Sequence, residues 1–178
     1  MSICPSSHHQ ERKGGRPHRF FISFKAYQIP SGAMEPALLV GDYFVSDVRF
    51  FRHHKPQRGD IVIFLYPPDR TKDFVMRVIA LEGETIEVRD KLVYVNGRKT
   101  NDPWGCHVEP DTLDQSISRR DNMAPVRIPE GSLFVLGDNR DRSFDSRFWG
   151  VVRVRDVIAK PLYVYWAKDR SRIGLSIR

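Results

Sequence analysis

Four short segments of this 178-residue chain concentrate the side chains that could do chemistry. They are Pro30 to Asp42 (PSGAMEPALLVGD), Arg58 to Pro67 (RGDIVIFLYP), Asp73 to Glu84 (DFVMRVIALEGE) and Gly137 to Gly150 (GDNRDRSFDSRFWG). The last is the densest. Carboxylates and arginines crowd behind a Gly-Asp-Asn turn, and the aromatic pair Phe148 and Trp149 follows. By residue type alone, such a cluster describes a tight turn held by side-chain hydrogen bonds and an ion pair.

Other chemistries are poorly supplied. The pairs His8-His9 and His53-His54 have no accompanying carboxylate or thiolate cluster, and adjacent histidines point apart on a strand, so no metal site is expected. Cys4 and Cys106 form neither a framework nor a close pair. No nucleotide or flavin motif is present, and no cofactor is expected. The net charge of +7 is spread along the chain, with local groups at Arg12 to Arg19, Arg119 and Arg120, and Arg170 to Arg178. That pattern suits solvated surface near anionic headgroups. Without a helix-turn-helix, zinc or RNA-binding signature, nucleic acid is not an expected partner.

The four segments, in this order, resemble the boxes of the bacterial type I signal peptidases, membrane-bound serine proteases that cut signal peptides from exported proteins. The resemblance runs from about Arg19 to about Trp166. It implies a mainly β fold, an antiparallel β-sheet catalytic core with an inserted loop or small subdomain, and a cofactor-free mechanism. It also implies a serine nucleophile just before the methionine of the first box and a lysine general base just before the arginine of the third. Those positions hold Ala33 and Met76.

A serine hydroxyl needs an adjacent base to attack a carbonyl at neutral pH. The base must be neutral, which burial of a lysine favours. Met76 matches a lysine in length and apolar stem but has no basic nitrogen. Ala33 has no oxygen to form an acyl-enzyme, a loss worth on the order of 10⁶ in turnover in serine proteases. The expectation is a chain without peptidase activity. Ser31, whose counterpart resembles an oxyanion-hole donor, sits two positions from Ala33. On an extended segment that is roughly 7 Å, too far to exchange roles without rebuilding the loop. Lys72 is four residues from Met76, roughly 13 Å along a strand, and is no substitute base.

The same boxes depart further from the family, with Ala37 where threonine is usual, Ala80 for glycine and Glu82 for proline. Those departures favour natural loss over experimental replacement of an active pair, the second reading. A third, a soluble regulatory or scaffold protein on the same fold as in self-cleaving repressor domains, is opposed by the RSFDSRFWG and RGDIVIF segments.

In the fourth box the resemblance gives Ser143 a place supporting the base, and gives Asp145 and Arg147 a structural ion pair near the site. It further implies that signal peptides or preproteins lie as an added strand along Tyr27, Gln28, Ile29 and Pro30 and along Asp73, Phe74, Val75 and Met76. Ile29, Met34, Phe74 and Ile79 are candidate pocket walls, with ordinary core packing the alternative for each. Oligomeric state is left open.

These residues need elements to position them. β-rich segments recurring between turn residues mark strands at Phe20 to Ile29, Tyr43 to Ser46, Ile61 to Tyr66, Phe74 to Leu81, Thr85 to Val88, Leu92 to Val95, Leu133 to Leu136, Val151 to Val154 and Leu162 to Trp166. Arg89-Asp90-Lys91 and Asn96-Gly97 turn the hairpins. No stretch sustains a helical period. The expected organisation is a disordered tail over 1–18, one domain over 19–167 with an irregular, mobile insertion near 101–122, and a basic, frayed end over 168–178.

A membrane span needs roughly 20 mostly apolar residues. The longest such run near the start, Phe20 to Phe24, is interrupted by Ser23. The family sits on the outer face of the cytoplasmic membrane. A chain complete as written, with no anchor or signal peptide, is expected in the cytosol, and a truncated one on the membrane. Peripheral membrane contact through Phe20, Phe21 and Phe24 is the alternative to their use in a core strand.

Overall fold

In the computed structural model, residues 23–178 are described. Strands β1 (Phe24–Gln28), β2 (Tyr43–Asp47), β3 (Ile61–Leu65), β4 (Asp73–Ala80), β5 (Thr85–Arg89), β6 (Leu92–Val95), β7 (Arg98–Lys99), β8 (Met123–Arg127), β9 (Ser132–Leu136), β10 (Val152–Arg153) and β11 (Val157–Trp166) carry the fold. The helices α1 (Phe50–His53) and α2 (Ser146–Trp149) are single turns. All strand pairings are antiparallel, in one sheet of order β1-β2-β11-β3-β4-β9-β10 and a second of order β7-β6-β5-β8. The fold is therefore mainly β and antiparallel, as its turn-punctuated apolar runs require.

Turn chemistry sets the hairpins. Asp90 and Lys91 both have positive φ, as do Asn96 and Gly97. Two successive left-handed residues are what a tight hairpin with the native strand twist demands.

Strand β4 governs the layout. Its first half pairs with β3, from Leu65 opposite Asp73 to Ile61 opposite Arg77. Its second half pairs with β9, and an irregularity lies between Val78 and Ala80. An extra residue in one strand bends it and re-aims the side chains beyond. Met76 and Val78 accordingly join one buried cluster with Ile29, Met34, Phe44 and Phe64. Ile79 and Ala80 join another with Ile86, Val88 and Phe134.

Several expectations need correction. The basic C-terminal stretch is not frayed. Its Ile177 amide donates to the Leu162 carbonyl at 2.9 Å, Ile177 is buried, and Arg172 pairs with Asp42 at 2.6 Å. Phe24 is not a core aromatic, being 57% exposed. The last strand begins at Val157 rather than Leu162, running through Lys160-Pro161 with register shifts on either side of Val164 and its neighbours. Residues 101–122 are irregular but tied down: Arg120 and Asp121 are buried and paired at 2.8 Å. Phe20, Phe21 and the tail over 1–18 lie outside the described residues. No helix among the described residues is long and apolar enough to cross a membrane.

Candidate functional site

Two strand edges lack a neighbour where the large sheet opens. Strand β1 pairs only with β2, and the Asp73 to Met76 half of β4 pairs only with β3, among the described residues. Between these edges lies a cavity of about 310 Å³. It is lined by Tyr27 to Ser31, Ala33, Met34, Phe44, Ile63, Asp73 to Met76, Arg142 and Phe144. Lys25 of one edge and Asp73 of the other are joined by an ion pair of 2.9 Å.

Every residue expected along the two edges lines this cavity, as do Ser31, Ala33 and Met34. Ile79 does not; it is 1% exposed and packs in the second cluster. It sits at the irregularity between Val78 and Ala80, where β4 bends and its side chains turn into the second cluster. Phe44, Ile63, Arg142 and Phe144 were not singled out from the sequence. The apolar, β-rich character of β2 and β3 marked the first two as strand residues only, and nothing local hinted at the others.

The Gly137 to Gly150 segment closes one end. Arg77 pairs with Leu136 across β4 and β9, and continuing that register sets Gly137 level with Met76. A Cβ added at Gly137 would collide with Ser143 Oγ and the Ala33 carbonyl oxygen, and would lie 2.6 Å from Ser143 Cβ. Only glycine lets the chain pass here. The Asn139 amide then donates to the Ala33 carbonyl at 3.1 Å. Residues 33, 76 and 143, remote in sequence, meet through this joint.

Most of the segment's charged groups are bound, to one another or to neighbouring strands and loops. Arg77, next to Met76 but facing away from the cavity, donates to both oxygens of Asp138 at 2.8 and 2.7 Å and to the Gly59 carbonyl at 2.7 Å. Arg147 donates twice to Asp145 at 2.8 Å, and to the Arg120 and Arg140 carbonyls. Asp145 also accepts from the Gly137 amide at 3.2 Å, and Ser146 Oγ accepts from the Val135 amide at 3.0 Å. Among the segment's buried polar side-chain atoms, Ser143 Oγ alone has no hydrogen-bond partner.

Beside it, Asp141 is fully enclosed and accepts from the Val108 and Glu109 amides at 2.7 Å each. Burial raises its carboxyl, but the two amides and His107 outweigh that and hold it well below the ordinary carboxylate range. His107, Asp121 and Asp141 approach one another as metal ligands do. Lys91 and Arg120 reach the same Asp141 carboxylate at 3.5 and 3.8 Å, so the cluster is already neutralised by cations.

Fold and cavity define an antiparallel β protein with an open apolar cleft between two strand edges. Comparison with known proteins gives the family: residues 18–166 match the family described as "Signal peptidase, peptidase S26", and the chain belongs to it. A probable signal peptidase I-1 of Synechocystis is 36% identical over 85% of this chain and 76% of its own. Signal peptidase I of Aquifex aeolicus is 30% identical over 80% and 76%, and that of Bacillus caldolyticus 30% identical over 88% and 93%. A crystal structure of a signal peptidase I from Enterococcus faecalis matches 60% of this chain and 97% of its own, with 34% identity and a TM-score of 0.46.

Proposed function

We propose that this chain binds signal-peptide-like segments in the cleft between β1 and β4 and does not cleave them. The observation that carries the reading is the pair Ala33 and Met76 on the cavity wall, next to an unpartnered buried Ser143 hydroxyl. A hydroxyl in the place of a base-supporting group has its partner when an amine stands nearby. With a thioether there instead, it keeps none. Lys72 is no replacement base, being engaged with Asp69 at 2.9 Å, and Lys25 at the cleft is paired with Asp73 at 2.9 Å. Ser31 keeps its hydroxyl at the cleft but lies on the far side of Gly32 from Ala33.

Binding in this cleft uses what remains. An extended peptide can hydrogen-bond along unpaired strand edges while its alternate side chains enter apolar pockets. Tyr27, Ile29, Met34, Phe44 and Phe74 supply those walls. Asp145 and Arg147 act as framework, holding the turn that carries Ser143.

The test is cleavage of a signal-peptide substrate with an Ala-X-Ala site, run on the protein and on the Ala33→Ser plus Met76→Lys double variant. We expect no cleavage by the protein above the rate of substrate alone, and recovered cleavage by the double variant. Cleavage by the unaltered protein would overturn the reading and direct attention to Ser31.

A further inference from the structure

The cleft is apolar apart from a few polar groups, and their pairing is uneven. Asp73 is neutralised by Lys25 at 2.9 Å. Arg142 also lines the cavity, and its guanidinium has no acceptor among the described residues. The backbone beneath it is fixed: the Arg142 amide donates to both the carbonyl and the side-chain oxygen of Asn139 at 3.2 Å. Asn139 in turn donates its amide to the Ala33 carbonyl at 3.1 Å. Two residues on, the Phe144 carbonyl is held by the Trp149 indole at 3.0 Å. A free cation is thus mounted on a rigid loop directly behind position 33.

We propose that the cleft takes an extended peptide by its C-terminal carboxylate, with Arg142 as the group that reads the charge. The inference rests on the peptide-binding reading above and narrows it to peptides that end at the site. Two features favour a chain terminus over a chain that continues. Ala33 lacks a side-chain oxygen, so the wall has room for the second oxygen that distinguishes a carboxylate from a peptide carbonyl. With Met76 neutral, Arg142 is the one unpaired cation on the cavity wall among the described residues, and guanidinium presents paired donors matched to a carboxylate. The unbonded Ser31 hydroxyl lies on the same wall as a further donor. In chemical terms the ligand is the kind of peptide that proteolysis after a small residue leaves behind.

Fluorescence anisotropy with labelled peptides distinguishes the possibilities. One peptide is apolar and ends in Ala-Gln-Ala with a free acid. A second is its C-terminal amide, a third an amide ending in Asp, and a fourth continues ten residues beyond the final Ala. Each is titrated against the protein and against Arg142→Gln. Because Arg142 is solvent-exposed, the expected preference for the free acid over the amide is moderate, about fivefold. Arg142→Gln should erase that preference by bringing the affinity for the free acid down to that for the amide, and an unchanged circular dichroism spectrum and thermal midpoint report that the variant is folded. Equal binding of acid and amide by the unaltered protein would overturn the carboxylate reading and leave the peptide cleft standing. Equal binding of the Asp-terminated amide and the free acid would also overturn it, by making an acidic side chain the ligand. Tighter binding of the continuing peptide than of the free acid would do the same. Binding of none of the four would overturn the cleft reading together with this one.

Discussion

The cleft and the Gly137 to Gly150 segment beside it carry opposite kinds of order. In and against the segment, buried arginines and aspartates are joined by bonds of 2.7 to 2.8 Å, and Gly137 is packed against Ser143 of the same segment and against Ala33. Where the segment meets the cleft that order ends: the strand edges are unpaired, the segment's Arg142 guanidinium has no acceptor among the described residues, and its Ser143 hydroxyl is buried without a partner. The difference separates two jobs that a peptidase fold usually performs with neighbouring residues. Met76 and Arg77 are adjacent on one strand, yet Arg77 pairs with Asp138 while Met76 packs in the core cluster beside the cavity.

The comparison breaks most visibly at Arg77 and Asp138, both almost fully buried. Asp138→Ala leaves a buried guanidinium without its carboxylate and should cost about 3–5 kcal/mol in chemical denaturation. A change much smaller than this would mean that the segment is not a rigid frame. Next in size, Gly137→Ala forces the backbone apart from Ser143 and Ala33, and should cost about 1–3 kcal/mol together with any peptide affinity of the cleft. Retained stability with lost binding would show that the joint serves the cleft alone.

A smaller effect is expected from acid. The Asp141 carboxyl is depressed below its ordinary 3.8 in the folded protein, so its contribution is complete above that value and is lost as pH falls through the depressed one. Amide signals of Val108 and Glu109, followed by NMR from about pH 6 to about pH 2, should move only at the acid end of that range. Movement centred on the ordinary carboxylate value would show Asp141 to be unperturbed. Smallest of all, Ser143→Ala removes a buried hydroxyl that bonds nothing and should raise stability by up to about 1 kcal/mol. Destabilisation instead would reveal a partner for that oxygen and weaken the contrast between the two regions.

Most of the fold was legible because it rests on local signals. Runs of β-branched and aromatic residues between turn residues sufficed for β2 to β6 and for both hairpins. Strand β8, Met123–Arg127, escaped because Ala124-Pro125 interrupts any such run and four of its five residues are exposed. A proline that cannot donate is tolerated there because the strand lies at a sheet edge. Lys160-Pro161 hid the first half of β11 in the same way, and there the register shifts accommodate the break. The helical turns at 50–53 and 146–149 are too short to show a period. For the site, resemblance gathered Ala33, Met76 and Ser143, but not the side-chain directions. Ile79 was misjudged as a pocket wall because the irregularity after Val78 is a fact of the folded strand. Arg142 and Phe144 went unnoticed because their value arises only when the loop after Asn139 comes to rest behind Ala33.

The contact at Gly137 also constrains what kinds of change this lineage can undo. Three stretches of chain converge on a position where no side chain fits, so an alteration there obliges compensating alterations in the other two. The side chains at positions 33 and 76 reach the cavity wall, so an exchange of side chain there has open volume on one side that Gly137 lacks. Side chains along the cavity can therefore be exchanged one at a time, while the architecture around them is held by mutual consent of its parts.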